Sequence, residues 1–338
     1  MQNFNTNAAV QRLRFWYKNA RPASLPQSLL PALTALALAA GQADFSLILG
    51  LLAVLGAALA HLSLNLFDDY FDYRKLKTGF RESLAAQGMR ARTAKCPYLT
   101  SGQATVDELL MACIGFGAAA VCLGGVVWLF RGNAVVWPAL LGLLLGISYS
   151  GDPLRLSYRG LGEAVIGVIF GPLLVAGVYI AACGQFTAPA LALGVAMGLL
   201  VTNILFTHSV LDLQADLYAG KFTLAALLKT PQNFRRACAL FTFGPFVLVL
   251  LAILCRWLAP IWLLVLLALP LAVALYRSML LFLQKPQVRP RRLPWYGPMG
   301  DWPKYCAAGL DWFLLRWFLS RNLTTAFGLC CIAASLLS

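Results

Sequence analysis

The 338 residues predict an all-α, polytopic membrane protein, a bundle of about nine helices. Three observations lead there. Hydrophobic residues make up 60% of the chain and charged ones only 12%, against about 25% charged in a soluble domain. The apolar residues gather into stretches near the length of about 20 that crosses a bilayer as a helix. The basic residues between those stretches sort to one side of the membrane.

In chain order, residues 1–22, "MQNFNTNAAVQRLRFWYKNARP", alternate apolar and aromatic residues with Arg and Lys, and no apolar core follows closely. They read as a short interfacial segment on the membrane surface, not as a signal peptide. Nine spans follow, at 23–42, 46–67, 106–130, 134–150, 161–182, 188–210, 236–256, 258–284 and 320–337. The last is the weakest, because "DWFLLRWFLSRN" ahead of it is amphipathic and interfacial in pattern. With the N-terminus on one side, that side receives every one of the 27 lysines and arginines except Arg131 and Arg256. The positive-inside rule then places the N-terminus and the long loops 74–104 and 285–304 in the cytoplasm, in a multi-pass protein of the cell membrane. The outer loops, "GQAD", "FRGN" and "CGQFTAP", are short and predict antiparallel hairpins. No stretch is polar enough for a second unit, so 1–338 reads as a single domain, with 285–319 as a cytoplasmic or interfacial insertion.

The net charge of +14 first suggests nucleic acid. Its sorting by side argues against that and for topology and contact with anionic headgroups of the lipid bilayer. The nine cysteines fall mostly in apolar spans, with no CxxC pair and no His at ligand spacing. They read as small apolar filler, with neither a disulfide framework nor a zinc site.

Two acidic motifs carry the chemistry. "NLFDDYFDYRKLKTG" (65–79) closes the second span and "HSVLDLQADLYAGKFTLA" (208–225) closes the sixth. On a helix, Asn65, Asp69 and Asp72 share a face at i, i+4 and i+7, with Asp68 on its edge. His208, Asp212 and Asp216 follow at i, i+4 and i+8. Aligning Asn65 with His208 puts Asp69 on Asp212 and Asp72 one short of Asp216, a weak internal repeat. Carboxylates crowded at a membrane boundary repel each other and are costly to desolvate. Magnesium relieves that cost, since it takes oxygen ligands and is usually held by one or two carboxylates with water and substrate phosphates. Two facing stripes suit two Mg²⁺ ions bridged by a diphosphate, with Lys221, Arg74, Lys75 or Lys77 in reach of the same oxygens. The long apolar tail of a polyprenyl diphosphate would lie among the helices, and an electron-rich partner would capture its allylic end. The competing readings are a solvated helix end paired with loop cations, and a carboxylate-based transporter, whose sites usually lie nearer mid-bilayer.

These motifs resemble the N-x-x-x-D-x-x-D and D-x-x-x-D elements of the UbiA-type superfamily of intramembrane prenyltransferases, the second followed by "AGKFTLA" in the manner of the family's G-K-x-T-L. "ARPASLPQSLLPAL" (20–33) and "YSGDPLRLSYRGLGE" (149–163) are similar to segments of its 1,4-dihydroxy-2-naphthoate prenyltransferase branch, which serves menaquinone synthesis. The resemblance implies nine helices around a cavity with cytoplasmic caps. It implies that Asn65, Asp69 and Asp72 bind one Mg²⁺–diphosphate arm and Asp212 and Asp216 the other, and that Lys221 contacts diphosphate. Arg21, Tyr149, Tyr158 and Arg159 would line the cavity or its cap, and Glu163 would pack or touch the acceptor. The activity implied is Mg²⁺-dependent transfer of a polyprenyl group to an aromatic acceptor, 1,4-dihydroxy-2-naphthoate or another such as 4-hydroxybenzoate. Three departures stand out. His208 and Leu211 replace the Asn and Arg common in the branch. Residues 92–105 match a basic loop only loosely, leaving Arg92 or Lys95 as its cation. The 285–319 insertion has no counterpart. His208 remains open as ligand, base or bundle residue, and His61 reads as structural.

Overall fold

The protein is described by a computed structural model covering residues 6–75, 96–218 and 220–338. Helices dominate, as the apolar periodicity predicts. An N-terminal helix α1 (Thr6–Asn19) is followed by α2 (Pro26–Ala39), α3 (Leu47–Lys75), α4 (Val106–Arg131) and α5 (Val136–Ser150). Then come α6 (Gly162–Cys183), α7 (Ala188–Leu211), α8 (Pro231–Leu254), α9 (Pro260–Gln284) and α10 (Asp311–Leu337). Among the described residues six segments are long and apolar enough to cross a membrane, and one of them, Val106–Ser150, contains both α4 and α5. α2 is apolar but has 14 residues. α10 carries Asp311, Arg316 and Arg321 in its first half. Each of the nine expected stretches overlaps a helix, while six segments meet the length and hydropathy of a crossing.

Packing arranges these helices in a closed ring. α3 lies against α4 and α6, α6 against α2 and α7, α7 against α8 and α10, and α10 against α9 and α2. α7 is central, with 72% of its most apolar window buried, against 11% for Val106–Ser150. The outward faces keep large apolar side chains such as Ile48, Leu129 and Leu254 exposed, as suits contact with lipid. The largest core cluster joins α7 to α10 through Leu200, Phe206, Trp262, Leu275, Leu319 and Phe327.

The start of α10 departs from the interfacial expectation. Leu315, Arg316 and Leu319 are fully buried. Arg316 donates to Ser278 O at 3.1 Å and to Trp312 O, and its guanidinium lies 5.0 Å from the Phe282 ring centre. Two carbonyls and an aromatic face thus accommodate a charge that a helical wheel alone would send to the surface. α1 also packs inward on one face, through Trp16 against Tyr98, while Leu13 and Tyr17 stay exposed. All nine cysteines are free.

α6 is interrupted at Ile169–Leu173 by a π-helical turn. Pro172 has no N–H to give to the ladder, so a wider turn absorbs the lost hydrogen bond. The turn directs Ile169 and Phe170 to the central cavity.

Candidate active site

The first motif forms on the last turns of α3, so Asn65, Asp69 and Asp72 do share one helix. Just ahead of α2, Arg21 adopts a left-handed conformation (φ 61°, ψ 57°) before Pro22 opens a 3-10 turn. That turn returns its guanidinium to the motif. Arg21 donates to Asn65 O and lies 3.3 Å from Asp68 Oδ2 and 3.2 Å from Asp69 Oδ1. Burial alone would lower the Arg21 pKa, but Asp69 and Asp68 outweigh it and hold the guanidinium charged above its ordinary range.

Each acid of the motif has a hydroxyl partner from elsewhere in the chain. Ser150 Oγ donates to Asp68 Oδ1 at 2.6 Å, Tyr98 OH to Asp69 Oδ2 at 3.0 Å, and Tyr158 OH to Asp72 Oδ1 at 2.7 Å. Burial first, and then the charge of Asp69, push the Tyr98 pKa up, so its hydroxyl stays a donor. Asn65 Nδ2 donates to Ala20 O and Ser24 Oγ, both at 2.9 Å, so its amide is oriented by Nδ2. Behind it, His61 is held by Ser28 Oγ at 2.8 Å and Ser24 Oγ at 3.3 Å and rests on the Phe170 ring. This agrees with a structural His61, yet the ring also lines the cavity.

The second motif departs from a single uniform helix. α7 ends at Leu211, Asp212 is its C-terminal cap, and a short helix Leu213–Tyr218 restarts the chain. The i→i−4 bonds continue across the break, from Asp212 N to His208 O and from Asp216 N to Asp212 O, both 2.9 Å. Gly220 then takes φ +69°, a left-handed turn that glycine adopts without steric cost. The turn folds Lys221 N back onto Asp216 O at 2.8 Å. His208 Nδ1 lies 3.6 Å from Asp212 Oδ2, and its ring meets Phe313 edge to face at 5.2 Å.

One cavity of about 710 Å³ collects these groups. Asn65, Asp68 and Asp69 of the first motif line it together with Asp216, Lys221 and His208 of the second. Arg21, Tyr149 and Glu163 line it too, and Leu64, Ile166, Ile169, Phe170 and Ile204 supply an apolar wall. Four expected residues lie outside the lining. Asp72 is engaged by Tyr158, Asp212 by His208, Tyr158 stacks under Arg155 at 4.0 Å, and Arg159 donates to Pro153 O at 3.1 Å. Arg74 turns to Tyr70, donating to its hydroxyl at 2.9 Å. Lys77, Arg92, Lys95 and the side chain of Lys75 lie outside the described residues.

Sequence reasoning missed Ser150, Tyr98, Ser24, Ser157, Thr223 and Trp317. Ser24, Ser150, Ser157, Thr223 and Tyr98 lie inside segments that resemble the family's, and Trp317 in the amphipathic stretch before the last span, but nothing in those patterns singles these side chains out. Ser157 Oγ and Thr223 Oγ1 are buried without a hydrogen-bond partner among the described residues, and both residues line the cavity.

The donors along both motifs are oxygens, the ligand type that Mg²⁺ selects. Among the described residues no three acidic, histidine or cysteine groups already form a metal-binding cluster. A magnesium ion completed by water and phosphate oxygens does not require one.

Residues 28–296 match the UbiA prenyltransferase family. The chain belongs to that family. Its relatives include the 1,4-dihydroxy-2-naphthoate octaprenyltransferases of Bacillus subtilis, 26% identical over 62% of this chain and 64% of that protein, and of Escherichia coli, 27% identical over 72% and 77%. The chain thus spans somewhat less than two thirds of the Bacillus protein's length. The UbiA fold extends over nearly the whole molecule. A digeranylgeranylglyceryl phosphate synthase structure aligns with a TM-score of 0.62 at 15% identity, over 97% of this chain and 100% of that one. A UbiA homologue from Archaeoglobus fulgidus bound to GPP and Mg²⁺ aligns at 0.57 and 16% identity, over 94% and 99%.

Proposed function

We propose that this UbiA-family protein transfers a polyprenyl group from a polyprenyl diphosphate to an aromatic acceptor in a Mg²⁺-dependent reaction, and that the acceptor is 1,4-dihydroxy-2-naphthoate. The observation that carries the reading is the single cavity lined by Asn65, Asp68 and Asp69 from α3 and by Asp216 and Lys221 from beyond α7. The names of the Bacillus and Escherichia relatives support the acceptor.

Bound magnesium would neutralise charge building on the departing diphosphate. Asn65, Asp69 and Asp72 would hold one ion and Asp212 and Asp216 the other. Lys221 and Arg21 add fixed positive charge at the same end, where preorganised donors stabilise the leaving group. The allylic C–O bond breaks with its electron pair leaving on diphosphate. The apolar wall around Phe170 and Ile166 keeps water from the cationic carbon until an acceptor ring carbon bonds to it. In the naphthoate case that carbon then sheds its carboxylate as carbon dioxide and the ring regains aromaticity.

The test is to incubate membranes containing the protein with labelled polyprenyl diphosphate and with the naphthoate, 4-hydroxybenzoate or no acceptor, each with and without Mg²⁺. We expect a prenylated 1,4-dihydroxynaphthalene, with carbon dioxide and diphosphate released, only with Mg²⁺. Folded protein that releases no diphosphate with any acceptor would sink the transferase reading, and turnover with 4-hydroxybenzoate alone would replace the acceptor.

A further inference from the structure

Residues 150–163, which connect α5 to α6, touch both acidic motifs. On the first-motif side, Ser150 Oγ binds Asp68 and Tyr158 OH binds Asp72. On the second-motif side, Tyr158 O accepts Phe222 N–H at 3.3 Å, a short backbone bridge that pairs Arg159 with Phe222. The Tyr158 ring lies 5.8 Å from Lys221 Nζ. The loop ends on Glu163, which is 3% exposed. Its Oε1 accepts the Ser209 hydroxyl at 2.7 Å, and Leu224 N–H reaches Oε1 and Oε2 at 3.3 and 3.2 Å.

Ser209 lies one turn before Asp212, and Leu224 lies three residues after Lys221. The Glu163 carboxylate therefore grips the second motif on both sides of its acidic and basic groups. We propose that Glu163 is a positioning residue for diphosphate binding: through Ser209 and Leu224 it holds the Lys221–Leu224 arm at a fixed distance from the acids of α3, across the 150–163 crosspiece. This rests on the prenyl-transfer reading. It assigns Glu163 to the diphosphate end of the reaction and not to the acceptor, although the side chain borders the cavity. A carboxylate only accepts, and three donor contacts converge on it. Because Leu224 N–H reaches both carboxylate oxygens, glutamine in its place sets an NH₂ group against that N–H in either orientation, so donor meets donor.

The test uses the full-length protein in lipid nanodiscs. Binding of geranyl diphosphate with Mg²⁺ and no acceptor is measured by calorimetry for wild type, Glu163→Gln, Glu163→Asp and Ser209→Ala, with the unfolding midpoint of each as the folding control. Steady-state KM values for both substrates are measured alongside. Glu163→Gln should weaken diphosphate binding by about tenfold, the scale of a lost charge-assisted buried hydrogen bond, and leave the acceptor KM within about twofold. Glu163→Asp should recover part of the loss, and Ser209→Ala should show a smaller shift in the same direction. Wild-type-like diphosphate binding by folded Glu163→Gln, or a shift confined to the acceptor KM, overturns the proposal. If Glu163→Gln does not fold, unchanged binding by Ser209→Ala overturns it. Wild-type protein that binds no geranyl diphosphate with Mg²⁺ overturns the prenyl-transfer reading itself, a distinct result.

Discussion

Asp69 is buried, 4% exposed, between Arg21 and Tyr98. Asp212, 2% exposed, holds the corresponding place beside His208. Replacing either removes a carboxylate oxygen where positive charge must be held, so Asp69→Ala and Asp212→Ala should each lower turnover at least about a hundredfold, the scale of losing one preorganised electrostatic group. Transfer assays on membranes with matched protein levels check this, and full activity in either variant contradicts a clamp made of both motifs. Asn65, Asp68 and Asp69 were legible in the sequence because a helix places residues four apart on one face and four polar side chains crowd the end of an apolar run. Ser150 and Tyr98 were not, because a lone hydroxyl at a helix end or in a single turn makes no repeating pattern and its partner lies 82 residues away in one case and 29 in the other.

The elements that position these residues depend on backbone details. α6 and α7 cross so closely that a Cβ on Gly198 would come within 2.5 Å of Gly167 O, and one on Gly171 within 2.5 Å of Gly198 Cα. Small residues at such crossings let helices pack without a hydrophobic driving force between them. Gly198→Leu should therefore push α7 from the π-turn that carries Phe170, destabilising the fold by about 1–3 kcal/mol. A lowered unfolding midpoint in detergent, with weaker diphosphate binding, is the expected result, and an unchanged midpoint argues that the crossing can relax. The helical character of both regions followed from their apolar runs. The π-turn and the break at Asp212 did not, since Pro172 marks the first without fixing the kind of turn that absorbs it, and no Gly or Pro marks the second.

In the whole molecule the first and last apolar helices meet. α10 packs on α2, and Arg321 donates to Ala23 O at 2.9 Å, which closes the ring beside the cavity-lining Trp317. The acids, the cations and the 150–163 loop thus share one end of the bundle. The proposed orientation puts that end in the cytoplasm, because the predicted spans assign every lysine and arginine but Arg131 and Arg256 to that side. In a chain with its nine cysteines replaced, Lys304→Cys should react with an impermeant maleimide only after the inner face is opened, and Asn133→Cys from outside intact cells. The opposite pattern would invert the topology.

The sequence by itself determined the fold class, the single face shared by the first motif and the one-sided charge, because composition and helical period are local properties. Tertiary structure alone decided that Tyr158 holds Asp72 from 86 residues away, that Arg159 turns from the cavity, that Arg316 is buried, and that Glu163 belongs to the arm carrying Lys221. Each of these depends on which helix lies beside which, and a one-dimensional pattern does not encode that neighbourhood.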